Sequence, residues 1–204
     1  LKYPVSGAPG TFVVVATTRP EPMLGDTAVA VNPSDKRYAG LVGKTLTLPL
    51  MGRSIPVVAD EHVDASFGTG AVKVTPGHDP NDFEIWQRHP GAVGAPVQVI
   101  GHDGRMSDQA GAYAGLSREA ARTKVVADLE AQGFLEKTED YSHSVGVCYR
   151  CQQPIEPLIC WQWFMRMKPS AEKALQALNK REFRIFPESW EGPYRAWLEN
   201  IRDW

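Results

Sequence analysis

An α+β fold that is mainly β, a compact barrel with peripheral helices and a helical C-terminal appendage, is predicted by three observations. Short β-branched runs bounded by glycine and proline recur through the first half of the chain, interrupted by helical segments; that order suits a mixed barrel better than a doubly wound sheet. Residues 117–132 carry a full set of helix start and stop signals. After about residue 140 the composition shifts, and five of the six tryptophans lie beyond that point. The division that follows is 1–140 for the barrel and 141–204 for the appendage.

The elements run as follows. A glycine turn at residues 7–10 precedes 11–17, a nearly continuous apolar run of the kind expected for a strand buried on both faces. Pro20 holds Arg19 extended and Glu21-Pro22 blocks a helical continuation, so Thr17, Thr18 and Arg19 sit at a strand mouth. Residues 28–31 read as a further strand and 34–38 as a helical turn capped by Ser34. Residues 45–49 and 55–59 flank Met51-Gly52-Arg53 as a hairpin whose prolines keep to strand ends and edges. Residues 95–100 are another strand, closed by the turn Asp103-Gly104-Arg105. The clearest helix opens with Ser117 as its cap. It carries Ala121, Val125, Val126 and Leu129 on one stripe and stops at Gly133. In the appendage, helices over 170–180 and 194–201 flank the segment 183–186. So many aromatic residues there predict a surface that packs on something absent.

With 204 residues, 43% of them hydrophobic, the chain buries a real core and leaves room for an appendage. No apolar run approaches the roughly 18 residues of a membrane span, and the opening Leu1-Lys2-Tyr3-Pro4 has neither an initiator methionine nor a signal pattern, as in a piece of a longer chain. A net charge of -2 excludes a general nucleic-acid binder, so contact with a nucleic acid must be local and specific in shape. Three cysteines, an odd number, point away from a disulfide framework and toward a reducing cytoplasm. Cys148 and Cys151 read as half of a four-ligand zinc site or as unused thiols. A redox pair lacks its βαβ context here.

Chemistry concentrates in residues 67–84. Val72 and Val74 alternate with Lys73 and Thr75, so on a strand the valines face a core while Lys73 and Thr75 share a cleft wall. Asp79 then stands at a helix N-cap, Pro80 at the first helical position and Asp82 one turn on. A cation and two carboxylates meet at one corner. Capping and dipole compensation alone would also account for Asp79 and Asp82, and Lys73 for itself as a solvated strand residue. His62 and His78 read as structural; neither pairs with a serine or cysteine nucleophile, and no histidine is nominated as a base. Gly68-Thr69-Gly70 lacks the Gly-Lys-Ser/Thr ending of a phosphate loop.

The run 67–84, together with Ala16-Thr17-Thr18-Arg19-Pro20-Glu21, resembles the editing insertion of the class I valyl-, isoleucyl- and leucyl-tRNA synthetases. The resemblance covers essentially the whole chain. Lys73, Arg19-Pro20-Glu21 and the closing segment 197–204 favour the valyl type. Pro22 stands where that family usually has threonine, and Gly77 where it usually has alanine, which loosens the corner carrying Asp79.

The resemblance implies a β-barrel editing domain, without the two aminoacylation signatures, that hydrolyses mischarged Thr-tRNA(Val). Valyl-tRNA synthetase is itself the known case in which a synthetic pocket rejects threonine only about 10²-fold, so a second site must use the hydroxyl. It implies that Asp79 holds the substrate α-ammonium, that Lys73, Thr75 and Asp82 read the threonine hydroxyl and the ester region, and that Phe67 stacks on the terminal adenosine. Arg19 would lie by the RNA backbone, with Thr17 and Thr18 lining the pocket. Asp79, Lys73 and Thr75 are thus the candidate catalytic residues; Thr17, Thr18, Arg19, Phe67 and Asp82 bind substrate. The ester is already activated, so a positioned water suffices and editing needs no cofactor. Zinc at Cys148 and Cys151 belongs to the full-length enzyme. The partners implied are the acceptor end of tRNA(Val) and the remainder of the synthetase, in a monomeric cytoplasmic protein with no membrane contact. The rival reading is a non-catalytic module that docks the acceptor end.

Overall fold

Residues 1–204 are described by a computed structural model. The first two strands, Lys2–Pro4 (β1) and Phe12–Val14 (β2), form an antiparallel ribbon with Lys2 opposite Val14 and Pro4 opposite Phe12. The run 11–17 is therefore not a strand buried on both faces. Val13 and Val15 turn inward while Phe12 is exposed, because β2 has a neighbour on one side only.

The main sheet has the order Thr45–Thr47 (β4), Ser54–Ala59 (β5), Ala28–Val31 (β3), Ala71–Val74 (β6). Strand β3 lies at its centre, parallel to β5 and antiparallel to β6, and all four of its residues are buried. Alternation of its side chains divides the interior into two clusters. Val29 and Val31 pack with Val57, Leu46 and Tyr3 on one face, joined by Val125 and Leu129 of the helix Arg118–Ala131 (α2). Ala28 and Ala30 pack with Val58 and Val74 on the other, joined by Ile85 of the helix Pro80–Arg88 (α1). Small alanines on that face let α1 approach the sheet closely.

Two expectations change. Helix (28%) exceeds strand (16%), and no barrel closes. The ribbon meets β4 through a single bridge, Val5 to Leu46, and the far edge at β6 stays open. The missing closure has a definite cause at residues 95–100. This segment joins no ladder; the backbone N–H groups of Val99 and Ile100 donate to His78 Nε2 at 2.9 and 3.2 Å. A side chain takes the donors that a neighbouring strand would have taken.

Smaller corrections have equally local reasons. Glu21–Gly25 is a buried 3-10 turn, since prolines at its start supply the φ the turn needs and their missing N–H groups cost nothing there. At residues 34–38 no helical turn forms; Asn32 Oδ1 takes both the N–H and the hydroxyl of Ser34, so Asn32 is the organising side chain. The α2 prediction holds: Ser117 Oγ accepts from the N–H of Ala120, and Gly133 adopts φ 75 at the stop. Val126 lies at the half-buried edge of the stripe.

Gly77 tightens the corner instead of loosening it. A Cβ there would stand 2.4 Å from the Val97 carbonyl oxygen, a backbone atom with little freedom to retreat. Gly77→Ala should push the 95–100 segment off His78 and lower stability by about 1 to 3 kcal/mol, read as a reduced midpoint in urea unfolding.

The opposite end of α1 is anchored by Asp60. Arg88 Nε, His89 Nε2 and the His62 N–H all bond to its carboxylate, at 2.9, 3.0 and 2.9 Å. Burial works against the charge, but Arg88 and the N–H of His62 outweigh it and hold the carboxyl down at about 2.

The break in packing falls after Ile159, so that residues 1–159 form one unit and 160–204 a second. The composition shift at residue 140 thus precedes it by nearly twenty residues, which belong to the first unit. The second unit is a pair of helices, Lys168–Asn179 (α3) and Glu191–Glu199 (α4), with Arg195 reaching both Glu191 and Asn179. Trp161 and Trp163 are fully exposed, and Trp190, Trp197 and Trp204 largely so. No helix of the chain is long and apolar enough to cross a membrane.

Candidate hydrolytic site

The site begins with the register of β6. Lys73 lies opposite Val29 on the sheet; the strand ends at Val74, and the N–H of Thr75, just past the ladder, donates to Asp82 Oδ2 at 2.8 Å. Asp79 then caps α1, its Oδ1 accepting from the N–H groups of Asn81 and Asp82 at 2.8 and 3.3 Å. One oxygen of Asp79 is left for the outside.

A cavity of about 90 Å³ opens at this corner, lined by Lys73, Thr75, His78 and Asp79 on one side and by Thr17, Thr18, Arg19 and Pro22 on the other. A larger, open groove of about 450 Å³ runs past Gln98, His102 and Asp108 and contains none of the groups singled out in the sequence. The small cavity is where the chemistry converges. Of the eight predicted site residues, six line it: Asp79, Lys73, Thr75, Thr17, Thr18 and Arg19. Phe67 does not. It is 64% exposed on a turn beside the strand mouth, where a Cβ on Gly68 would lie 3.5 Å from that of Ala16. Asp82 does not line it either, being buried behind Thr75.

Two acidic residues that the sequence reading missed complete the arrangement. Asp26 is fully buried, and its carboxylate accepts from Thr75 Oγ1 at 2.5 Å and from the Tyr3 hydroxyl at 2.7 Å. Lys73 Nζ donates to Thr75 Oγ1 at 2.6 Å and stands 3.9 Å from Asp26. The signal was present: a carboxylate two residues ahead of an all-apolar central strand has no water and so must have partners. Glu156 is the second. Its carboxylate takes both bonds from Arg19 Nη2, at 2.6 and 2.7 Å, and one from Arg118 at 3.1 Å. Arg19 is therefore held inside the protein's own ion-pair network, which extends through Glu21 to Arg122.

Burial sets the electrostatics. It pushes Asp82 up to about 7, with the nearby Asp79 adding to the rise while Lys73 and the Thr75 N–H oppose it. Asp26 is likewise pushed up by burial, against the pull of Lys73, Thr75 and Tyr3. His78 is pushed down by burial, with Glu156 opposing. Its Nε2 accepts two backbone bonds, which assigns the proton of the neutral ring to Nδ1 and leaves no lone pair for a base. The reading of His78 as structural stands.

Cys148 and Cys151 sit in a tight turn closed by Cys148 N–H to Gln153 and Gln152 N–H to Cys148. Backbone N–H groups of Cys151 and Arg150 directed at the sulfur hold the Cys148 thiol below its ordinary range. This donor pair fits half of a tetrahedral thiolate site, and no cluster of three or more metal-ligating side chains surrounds it.

A lysine, a free carboxylate oxygen and hydroxyls around a small cavity, with no serine or cysteine nucleophile, describe a site for a small polar group and a water. Residues 30–130 match the family model described as the leucyl-tRNA synthetase editing domain. The chain belongs to the editing domains of the class I aminoacyl-tRNA synthetases. Within that class its relatives are valine–tRNA ligases. It is 56% identical to that of Thermotoga maritima over all 204 residues, 52% to that of Petrotoga mobilis and 55% to that of Solibacter usitatus. The chain spans about 23% of the length of these relatives. A solved structure, the crystal structure of GlLeuRS-CP1, superposes with a TM-score of 0.48 at 18% identity over 60% of this chain and 80% of its own, which adds nothing to the assignment.

Proposed function

We propose that the site hydrolyses the ester joining threonine to a valine-accepting tRNA, yielding free threonine and the uncharged 3′ end, as part of a longer synthetase chain. The observation that carries this reading is the pairing, in one cavity of about 90 Å³, of the Lys73 ammonium with the outward oxygen of Asp79. An aminoacyl ester presents a cation, its α-ammonium, beside a carbonyl and a side chain. Asp79 complements the first and Lys73 the developing oxyanion or the threonine hydroxyl. Thr17 and Thr18 supply hydroxyls on the facing wall. Phe67, exposed at the rim, offers a stacking face to the terminal base. Water is the nucleophile, and the ester needs no covalent intermediate. The thiol pair at Cys148 and Cys151 takes zinc only when further ligands from the longer chain complete it.

The test is deacylation of Thr-tRNA(Val), Val-tRNA(Val) and Thr-tRNA(Ile) by the full-length protein. Faster loss of threonine from Thr-tRNA(Val) than of valine from Val-tRNA(Val) is expected. Binding of the acceptor end without acceleration would leave a docking module in its place.

A further inference from the structure

The Thr75 hydroxyl stands between the Asp26 carboxylate and the Lys73 ammonium. Thr75 has one hydroxyl proton, and it points to Asp26 Oδ1 at 2.5 Å. Thr75 Oγ1 itself accepts from Lys73 Nζ at 2.6 Å. With Asp26 ionised, both directions are forced together, since an ammonium only donates and a carboxylate only accepts. The second Asp26 oxygen is taken by the Tyr3 hydroxyl at 2.7 Å, which leaves Asp26 no freedom to rotate. Asp26 has no exposed surface and cannot reach a substrate. Thr75, only 1% exposed, has no proton left to give one and keeps a single lone pair for a donor. Lys73 has three protons and uses one on Thr75, so two remain for the cavity.

We propose that Asp26 is a positioning residue of this site: by taking the proton of Thr75 it fixes that hydroxyl as the acceptor that aims Lys73 into the cavity. This rests on the reading of the cavity as an ester-hydrolysing site, and it adds a role to one of its walls. A carboxylate and a hydroxyl linked in this order hold a lysine that would otherwise sample many rotamers, and fixed placement of a charge is what a developing oxyanion or a single side-chain hydroxyl requires. Tyr3, from the N-terminal strand, ties the assembly to the first core cluster.

Four variants of the full-length protein test it: Asp26→Asn, Thr75→Val, Thr75→Ser and the double variant Asp26→Asn/Thr75→Val. Asp26→Asn and Thr75→Val should each lower kcat for Thr-tRNA(Val) roughly tenfold to a hundredfold with little change in KM, as expected when a charge stays present but loses its aim. Thr75→Ser, which keeps the hydroxyl, should stay within about threefold of the parent. The double variant should be no worse than either single one, since both break the same link. A second readout needs no tRNA: competitive labelling of Lys73 by acetic anhydride, followed by mass spectrometry, should rise severalfold in Asp26→Asn and Thr75→Val and not in Thr75→Ser. Losses that multiply in the double variant, or a Thr75→Val loss with Lys73 labelling unchanged, would show that Asp26 and Thr75 do not act by placing Lys73 and overturn the proposal. If the parent protein fails to hydrolyse Thr-tRNA(Val), the functional reading fails, while the labelling still judges Asp26. Thermal unfolding accompanies each variant; should Asp26→Asn not fold, the Thr75→Val and Thr75→Ser pair decides on both readouts.

Discussion

Asp79→Ala should slow hydrolysis of every aminoacyl ester the site accepts by roughly tenfold to a hundredfold, threonyl and valyl alike. All such esters carry the α-ammonium, and a bond to a charged group is worth about 1.5 to 3 kcal/mol. The same side chain also caps α1, accepting from the N–H groups of Asn81 and Asp82. Its loss therefore costs about 0.5 to 2 kcal/mol of stability as well. Asp79→Asn separates the two contributions. Asparagine caps as well as aspartate, so the variant should unfold with the parent, yet it has no charge for the ammonium and should lose activity almost as far as alanine does. Thermal unfolding and the deacylation rates of Thr-tRNA(Val) and Val-tRNA(Val) are the measurements. An Asp79 variant that remains folded and fully active would remove the carboxylate from the site.

That corner was legible because its determinants are local. Asp79, Pro80 and Asp82 lie within four residues, and cap geometry follows from their order alone. Helix α2 was legible for the same reason, with Ser117 at one end and Gly133 at the other. What the sequence hid is long in range. The Thr75 bond to Asp26 spans 49 residues, and the Arg19 bond to Glu156 spans 137. Nothing in the neighbourhood of Arg19 reveals that its guanidinium is already taken. The barrel failed for a related reason: residues 95–100 have the composition of a strand, but a histidine about twenty residues earlier in the chain claims their N–H groups. Local pattern reports what a segment favours, and tertiary partners decide whether it pairs.

Asp82→Asn should alter the pH dependence of stability. Asp82 is buried, and its carboxyl is raised from 3.8 to about 7 in the folded protein. Between those two values the folded state holds a proton that the unfolded state has released. Stability must then fall as pH rises through that window, by at most about 1.4 kcal/mol per pH unit, and level off above pH 7. The contribution is thus fully present at low pH and gone once the folded carboxyl ionises. Asparagine keeps an oxygen to accept from the Thr75 N–H and does not titrate, so the variant's stability relative to the parent should improve steadily from pH 4 to pH 7. Urea unfolding at pH 5 and pH 8 measures this, and equal differences at the two values would show that Asp82 does not titrate between them. Asp82→Ala, which removes that acceptor, bears on selectivity. Asp82 supports Thr75, and through it Lys73, from behind, so its loss should erode the preference for threonine over valine by about 1 to 3 kcal/mol while leaving the slower valyl reaction nearly unchanged. A uniform loss on both esters would instead place Asp82 with Asp79, as a contributor to ammonium binding.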